Sequence, residues 1–448
     1  MLRPHTFYIE NLGCFKNQVD AEYLISALTG KGWTALDDAS EAQLILVNTC
    51  TFIESAKTES IDAFFQLRKS RPDARIVLTG CMAERYGKEL LEMIPEADAI
   101  FGNRDPQKIV DIVDGVAAGN KTAYFPPNMK KAPRRQKFLS LKNSVYVKIS
   151  EGCSNACTFC AIPKFRGTLS SRTLDDVTDE INGLLDSGVK EINLIAQDLA
   201  SFGLDRGQED FQKLLDRVLS RKGDFWLRLL YLYPDRFPEF IIGYAKNDSR
   251  LLPYFDLPFQ HASHRLLKLM GRKGSDTEYL DLISRIRSEL PDAVVRSTFI
   301  VGFPGEQNQD FDTLLRFQEE AKLDWVGVFE YSREEGTPAF RMQSEDAFEL
   351  FRPTAALRKQ TLEDRQNEIT AKNLERWVGR ELEVLIEEPI KGSAMALGRS
   401  FMQAQEVDGL VIVQGEGLAS GDVVRVQVTR RNGVDLEGRV LVPASLSR

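Results

Sequence analysis

Glu151-Gly-Cys153-Ser-Asn-Ala-Cys157-Thr-Phe-Cys160 follows an alternating run, Ser144-Val-Tyr-Val-Lys-Ile-Ser150. The alternation reads as a strand, so the three cysteines fall on the loop leaving its C-terminal end. Three thiolates within eight residues can hold three corners of an iron–sulfur cube, whereas a ferredoxin-type site takes a fourth cysteine and none lies nearby. One iron would then keep an open position for a small molecule. A zinc knuckle would need a fourth ligand and usually shows paired C-x2-C units, and a redox-regulated loop is the other alternative.

Working outward, a strand–helix rhythm recurs six times from Ser144. The predicted strands are Ser144–Ser150, Glu191–Ala196, Phe225–Leu232, Tyr254–Phe259, Val294–Val301 and Trp325–Tyr331. Six βα units predict an open, partial (βα)6 barrel over residues 142–376, with its chemistry at the C-terminal mouth of the strands. Residues at that mouth include Gln197, Gln260, His261, Gly302 and Glu306; Arg228 lies inside the third strand, where it would suit a carboxylate bidentately. For His261 a hydrogen-bonding strut is favoured over a general base.

Residues 1–120 alternate short apolar runs with amphipathic stretches, predicting a doubly wound α/β domain. The expected strands are His5–Glu10, Ala42–Val47 and Ala74–Thr79. Helices are expected over Asn17–Thr29, Ser55–Lys69 and Glu84–Met93, with a fourth βα unit over Ala97–Val116. Cys14, Cys50 and Cys81 each follow a strand, and in parallel sheets those ends line one ligand-binding edge. Cysteines 31 to 36 residues apart are therefore expected to converge as a second three-thiol site, with Gly13 and Gly80 letting the backbone approach a bulky ligand. Three unrelated buried cysteines would be the bland reading.

Residues 121–141 are rich in proline and basic residues and read as an extended linker. The basic run Lys130, Lys131, Arg134, Arg135 and Lys137 reads as a solvated connector rather than an RNA contact. Thr354–Arg376 reads as a polar helix closing the core. Residues 377–448 carry five short strand patterns and predict a small antiparallel β-barrel.

The chain of 448 residues is 43% hydrophobic with a net charge of −8, which argues against a large phosphate-binding surface. From Gly379 onward ten acidic residues face eight basic ones, so the terminal barrel suits a basic protein partner better than tRNA. No apolar run reaches membrane-spanning length, and the first residues lack a signal-peptide core, so a cytoplasmic location with no membrane partner is expected.

The Cys-x3-Cys-x-aromatic-Cys spacing resembles the radical S-adenosylmethionine (SAM) signature. Together with Asn11-Leu-Gly-Cys14, Asn48-Thr-Cys50 and Thr79-Gly-Cys81, it resembles the methylthiotransferase family along the whole chain, and the terminal domain resembles a TRAM module. The resemblance implies two [4Fe-4S] clusters, one on Cys14, Cys50 and Cys81 and one on Cys153, Cys157 and Cys160. It implies two uses of SAM: one molecule donates a methyl group to sulfur at the first cluster, and the other is cleaved at the second to a radical that abstracts hydrogen. Phe159, Gln197, Arg228, Gln260, Gly302 and Glu306 are the expected SAM contacts. Phe52-Ile-Glu-Ser-Ala-Lys57, Gln197-Asp198, Leu257–Ser263 and Glu406-Val-Asp-Gly409 look like the branch that modifies an aspartate of ribosomal protein uS12 at its β-carbon. An electron donor such as flavodoxin or ferredoxin and a sulfur source are implied partners. The alternatives are tRNA adenosine methylthiolation, a non-catalytic iron–sulfur carrier, or a radical SAM enzyme whose first domain is only structural.

Overall fold

The computed structural model describes residues 5–441 apart from 130, 136 and 140. Lys130 of the linker and residues 442–448 of the terminal domain lie outside the described residues.

The first domain is a six-stranded parallel sheet: β1 Thr6–Asn11, β2 Thr34–Ala35, β3 Leu44–Thr49, β4 Arg75–Gly80, β5 Ala99–Phe101 and β6 Thr122–Tyr124, in the order β2-β1-β3-β4-β5-β6. Alternate residues feed two cores. Leu44, Leu46 and Val77 pack under Leu24 and Leu28 of the helix Phe15–Gly30, while Ile45, Val47, Ile76 and Leu78 pack against Phe64 and Leu90 on the other face. The sheet is thus doubly wound, and the chain changes direction between β1 and β3, the switch point where such sheets bind ligands. The expected helix Glu84–Met93 instead starts at Cys81 and breaks at Gly87 into Cys81–Tyr86 and Glu89–Met93. Gly87, at φ 60, ends the first turn in a conformation that favours glycine.

The second sheet contains β7 Ser144–Lys148, β10 Glu191–Ile195, β11 Trp226–Leu229, β12 Leu251–Asp256, β13 Val294–Val301 and β14 Trp325–Glu330, all parallel and in sequential order. Its first and last strands do not pair, so the barrel is open. A two-stranded ribbon, β8 Ser150–Glu151 with β9 Ser170–Ser171, closes the base of the cysteine loop. The closing helix runs from Glu345 to Glu375, nine residues earlier than expected. The helix is capped upstream, where the Ser344 side chain accepts from the Ala347 amide, and it continues through Pro353.

The terminal domain is a closed barrel of β15 Glu381–Pro389, β16 Met395–Arg399, β17 Val411–Gln414, β18 Val423–Asn432 and β19 Asp435–Val440, in the order β15-β16-β17-β19-β18. It is antiparallel except for the closing pair β17–β19, which is parallel.

Two features differ from the sequence reading. Thr122–Tyr124, expected in the linker, pairs with β5 as the sixth strand. The basic run is not merely solvated either. The Arg135 guanidinium is fully buried between Glu22 of the first domain (2.6 Å) and Glu180 of the core (2.8 Å), and it donates to the Tyr146 carbonyl at 2.7 Å. The connector is therefore a strap tying the two domains together.

The terminal barrel packs into the concave face of the open barrel. Tyr146, Leu230, Leu252 and Trp325 of the core share one apolar cluster with Val384, Val411 and Val413. Charges are buried there as well. Glu191 meets Arg228 at 2.8 Å and Arg399 at 2.6 Å, and all three side chains are 0% exposed. Burial raises the Glu191 carboxyl, but Arg399 and Arg228 overcome it and hold the group down from its ordinary 4.5 to about 2. This pairing should contribute fully to stability above about pH 4.5 and lose its contribution as the pH falls toward 2. Glu191→Gln should cost about 3–5 kcal/mol at neutral pH, because two buried guanidiniums lose their counter-charge. It should also flatten the acid limb of a urea-midpoint-versus-pH curve; an unchanged midpoint and acid limb would remove the pairing from the docking energy.

Candidate active site

Cys14, Cys50 and Cys81 stand at the C-terminal ends of β1, β3 and β4, on either side of the switch point and one strand beyond. The local sequence draws these ends together through asparagine. The Asn17 amide donates to the carbonyls of Leu12 and Thr49, both at 2.9 Å, and Asn48 donates to Asn11 (2.8 Å) and to the Asn17 carbonyl (2.7 Å). Gly13, at φ 94, passes so close to the second thiol that a Cβ there would sit 2.9 Å from Cys50 Cβ and 3.1 Å from its Sγ. A Cβ on Gly80 would lie 2.5 Å from Asn48 Oδ1 and from the Thr49 carbonyl. The two glycines thus let the loops close on one another. Cys14 is the N-cap of the helix Phe15–Gly30.

The second trio lies on the loop after β7 and β8. The Cys160 amide donates to the Cys157 carbonyl at 3.2 Å, and the Asn155 amide approaches Cys153 Sγ at 3.4 Å. Tyr233 Oη lies 3.8 Å from Cys157 Sγ, with the Arg272 guanidinium 4.0 Å from the Tyr233 ring centroid. The loop is pinned at Thr158, whose amide and hydroxyl bind the carbonyls of Met270 (2.9 Å) and Leu269 (2.8 Å). All six cysteines are free thiols. Burial raises the thiols of Cys50, Cys81, Cys153 and Cys160, the last to about 12. Such thiols keep their protons until a metal takes the proton's place.

One contact joins the domains, between Cys81 of the first trio and the segment that follows the second. Cys81 packs against Ala161, Ile162 and Phe165, the residues immediately following Cys160. From the same segment Arg166 donates to Cys81 Sγ at 3.1 Å and to Asn17 Oδ1 at 2.5 Å, and pairs with Asp20 at 2.6 Å and Glu151 at 3.1 Å. Lys148 pairs with Glu151 at 2.5 Å and with Asp20. Gln197 Nε2 donates to Glu151 at 2.9 Å. Burial raises the Glu151 carboxyl, but Arg166 and Lys148 pull it down to about 2.

Among the expected SAM contacts, Phe159 is half-buried against the core. Gln197 leans on Glu151, two residues before Cys153, with its Oε1 buried and unpartnered among the described residues. Gln260 adopts φ 70 and bridges to Phe299, its amide donating to Thr298 (2.8 Å) and its carbonyl accepting from Ile300 (2.7 Å). Arg228 is corrected: its partners are Glu191, the Phe401 carbonyl at 2.8 Å and the Tyr254 ring, so it anchors the terminal barrel. Glu306 is corrected as well. Its buried carboxylate accepts from the Gly302 amide and meets Arg358 (3.1 Å) and His261 Nε2 (3.4 Å), so it holds the Gly302 turn. His261 Nδ1 accepts from the Ser263 amide at 3.0 Å, which places its proton on Nε2 and makes the ring a strut.

Sequence reading missed Lys16, Asn17, Arg166, Tyr231, Tyr233 and Arg272. Lys16 and Asn17 follow Cys14 directly, and Arg166 lies six residues after Cys160. Proximity to a ligand was the available signal, but their partners are distant in sequence.

Among the described residues no three His, Cys, Asp or Glu side chains converge on a single metal ion. The donor chemistry of each trio, three thiols, suits three corners of a cube, where every thiolate would take its own iron. The donors are all sulfur, the loops are held by backbone bonds, and a guanidinium faces one thiol.

Comparison with known proteins agrees with this layout. Residues 6–102 match the model of Uncharacterized protein family UPF0004, residues 147–317 the Radical SAM superfamily and residues 378–441 the TRAM domain. The radical SAM methyltransferase TsrM from Kitasatospora setae, solved with cobalamin and a [4Fe-4S] cluster bound, superposes with a TM-score of 0.55 at 16% identity, over 75% of this chain and 77% of that one. The cobalamin-dependent SAM radical enzyme OxsB reaches a TM-score of 0.50 at 13% identity, over 81% and 56%. At such identities these two share the fold alone. The class is therefore a radical SAM enzyme carrying an amino-terminal UPF0004 domain and a carboxy-terminal TRAM barrel, and a radical SAM domain implies a [4Fe-4S] cluster and SAM.

Curated relatives narrow it. "Ribosomal protein uS12 methylthiotransferase RimO" of Treponema denticola is 40% identical over 95% of this chain and 98% of its own length, and that of Thermotoga maritima is 40% identical over 97% and 99%. The chain belongs to the RimO family of radical SAM methylthiotransferases. None of its helices is long and apolar enough to cross a membrane, among the described residues.

Proposed function

We propose that this chain inserts a methylthio group at the β-carbon of an aspartate of ribosomal protein uS12, using two [4Fe-4S] clusters and two molecules of SAM. The observation that carries the reading is the contact of Cys81 with Ala161, Phe165 and Arg166, which sets a thiol of the first trio against the segment that follows the second. Cys14, Cys50 and Cys81 would hold one cluster, and Cys153, Cys157 and Cys160 the other. When bound, the clusters and SAM supply the electron, the radical and the methylated sulfur that an unactivated C–H bond requires.

The chain's own residues do the positioning. Arg166 places a positive charge against Cys81 and spans both domains. Glu151, clamped by Lys148, Arg166 and Gln197, fixes the strand end from which the Cys153 loop departs. Apolar packing of Ala161 and Phe165 on Cys81 keeps water from that side of the thiol. Relatives named for uS12 and the net-acidic terminal barrel support the substrate, since the barrel's Arg399 is consumed inward by Glu191 and Glu387. Flavodoxin or ferredoxin as electron donor, a separate sulfur source and a cytoplasmic location complete the reading.

The anaerobically reconstituted protein should contain about eight irons and eight sulfides per chain; about four would overturn the two-cluster assignment. Incubation with SAM, reductant and either uS12 or tRNA should give methylthiolated uS12. Product on tRNA alone would establish tRNA adenosine as the substrate instead.

A further inference from the structure

The net charge of −8 is not spread evenly, and beside the second cysteine loop its sign reverses. The segment His264–Lys273 carries Arg265, Lys268, Arg272 and Lys273 and no acidic residue. It begins as the short helix His264–Leu269, and the residues after that helix lie against the loop. The Leu269 and Met270 carbonyls accept from Thr158, and a Cβ on Gly271 would sit 2.4 Å from the Ala156 carbonyl oxygen and 3.3 Å from Thr158 Cγ2. Arg236 reaches the loop as well. Its guanidinium donates to Asn155 Oδ1 at 2.8 Å, and the neighbouring Asp235 accepts from the Lys273 amide at 2.8 Å. Ser154 and Ala156 of the loop are themselves exposed.

The cations of this patch face solvent. Arg236, Arg265, Lys268 and Lys273 are all exposed, and Lys268 and Lys273 enter no ion pair among the described residues. The carboxylates beside them are turned inward. Asp198 is held by Arg236, Asp235 by Arg272 and Asp310 by Arg265, with all three acidic side chains buried. The next acids along the chain, Asp276 and Glu278, belong to the first turn of the following helix. Leu269, 37% exposed, lies among the cations. An exposed leucine beside unneutralised charge has the layout of a protein contact, apolar at its centre and polar at its rim.

We propose that this patch is the docking surface of the electron donor, and that the donor is a small acidic one-electron carrier protein. This rests on the reading of Cys153, Cys157 and Cys160 as the ligands of the cluster that is reduced. One electron leaves the donor and that cluster accepts it; no atom is transferred. Electron transfer falls off steeply with distance, and the patch touches the residues between the ligands: Asn155 and Ala156 between Cys153 and Cys157, and Thr158 between Cys157 and Cys160. Redox encounters are small and transient, so a few complementary charges suffice to steer and orient the partner. The same cations disfavour a basic protein, so this patch and the net-acidic terminal barrel suit different partners.

The test compares the reconstituted wild-type chain with the double variant Lys268→Glu, Lys273→Glu and with its milder form, Lys268→Gln, Lys273→Gln, each at wild-type iron content. Formation of 5′-deoxyadenosine from SAM is followed with two kinds of reductant. One is reduced methyl viologen, a small cation that the patch does not attract; the other is a reduced flavodoxin or ferredoxin of net negative charge. Charge reversal should lower the protein-driven rate roughly 10- to 100-fold and leave the viologen-driven rate undiminished, with the neutral form in between. Binding of the oxidised donor, measured by calorimetry, should weaken with added salt in wild type and be weak at every salt concentration after charge reversal. The assignment is overturned if the protein-driven rate is unchanged in the charge-reversed variant, or if wild type turns over with viologen but with neither carrier protein. It is also overturned if both rates fall together, which would make the segment a support of the cysteine loop, or if the variants lose only affinity for the small ribosomal subunit, which would make the patch an RNA contact. Wild type that forms no 5′-deoxyadenosine with viologen defeats the reading of the second trio itself, whereas turnover with an unaltered carrier-driven rate in the variants defeats the docking assignment alone.

Discussion

Cys50→Ala is expected to abolish methylthio transfer to uS12 while reductive cleavage of SAM continues. Cys50 ends β3 beside the switch point, its amide held by Ser60 Oγ at 3.0 Å, and no other cysteine lies near enough in the chain to replace it. Removing it leaves Cys14 and Cys81 to hold a cluster with two protein ligands. The second trio, on its own loop pinned by Met270 and Leu269, loses no ligand. The iron count should fall from about eight to about four, and 5′-deoxyadenosine should still form without methylthiolated product. Continued transfer would assign the first domain a purely structural role, and loss of both activities together would show that the two sites are not separable.

Arg166→Met should produce the largest loss of stability among single substitutions at the domain junction, about 3–5 kcal/mol for removal of one partner from a buried charge network. The guanidinium is nearly inaccessible and serves Asp20, Glu151, Asn17 and Cys81 at once. Methionine fills the volume but leaves two carboxylates sharing Lys148 alone. Burial opposes the charge on Arg166, but the facing Cys81, Glu151 and Asp20 more than compensate and hold its pKa above the ordinary value, so no accessible pH relieves the loss by neutralising the wild-type side chain. Chemical denaturation followed by tryptophan fluorescence measures the cost. Because this residue joins the domains, unfolding should also split into two transitions. Arg166→Lys should recover part of the stability, since it restores the charge without the planar fork. A single transition with wild-type midpoint in Arg166→Met would show that the Arg135 strap alone holds the domains together.

The legible and illegible parts of this chain divide along a physical line. Strands and helices of the first two domains were readable because local periodicity reports burial on one face or two. Leu44–Val47 is apolar throughout because both faces of β3 are covered. Boundaries slipped where caps and breaks lay outside the periodic stretch, as at Ser344 and at Gly87. Glu306 was placed at the barrel mouth by strand position and Arg228 inside the third strand as a SAM contact, yet each is spent on protein partners: Glu191 and the Phe401 carbonyl for Arg228, and the Gly302 amide with Arg358 for Glu306.

The amino-acid sequence by itself determined which atoms can bind metal, how they are spaced and which strand ends carry them, since ligand chemistry and strand periodicity are properties of short segments. Only the tertiary structure decided that Cys81 meets the segment after Cys160, that Arg166 bridges two domains, and that the terminal barrel fills the concave face of the core. Each depends on residues tens to hundreds of positions apart. Which buried charges pair is settled by which distant partners the packing brings within a few ångströms.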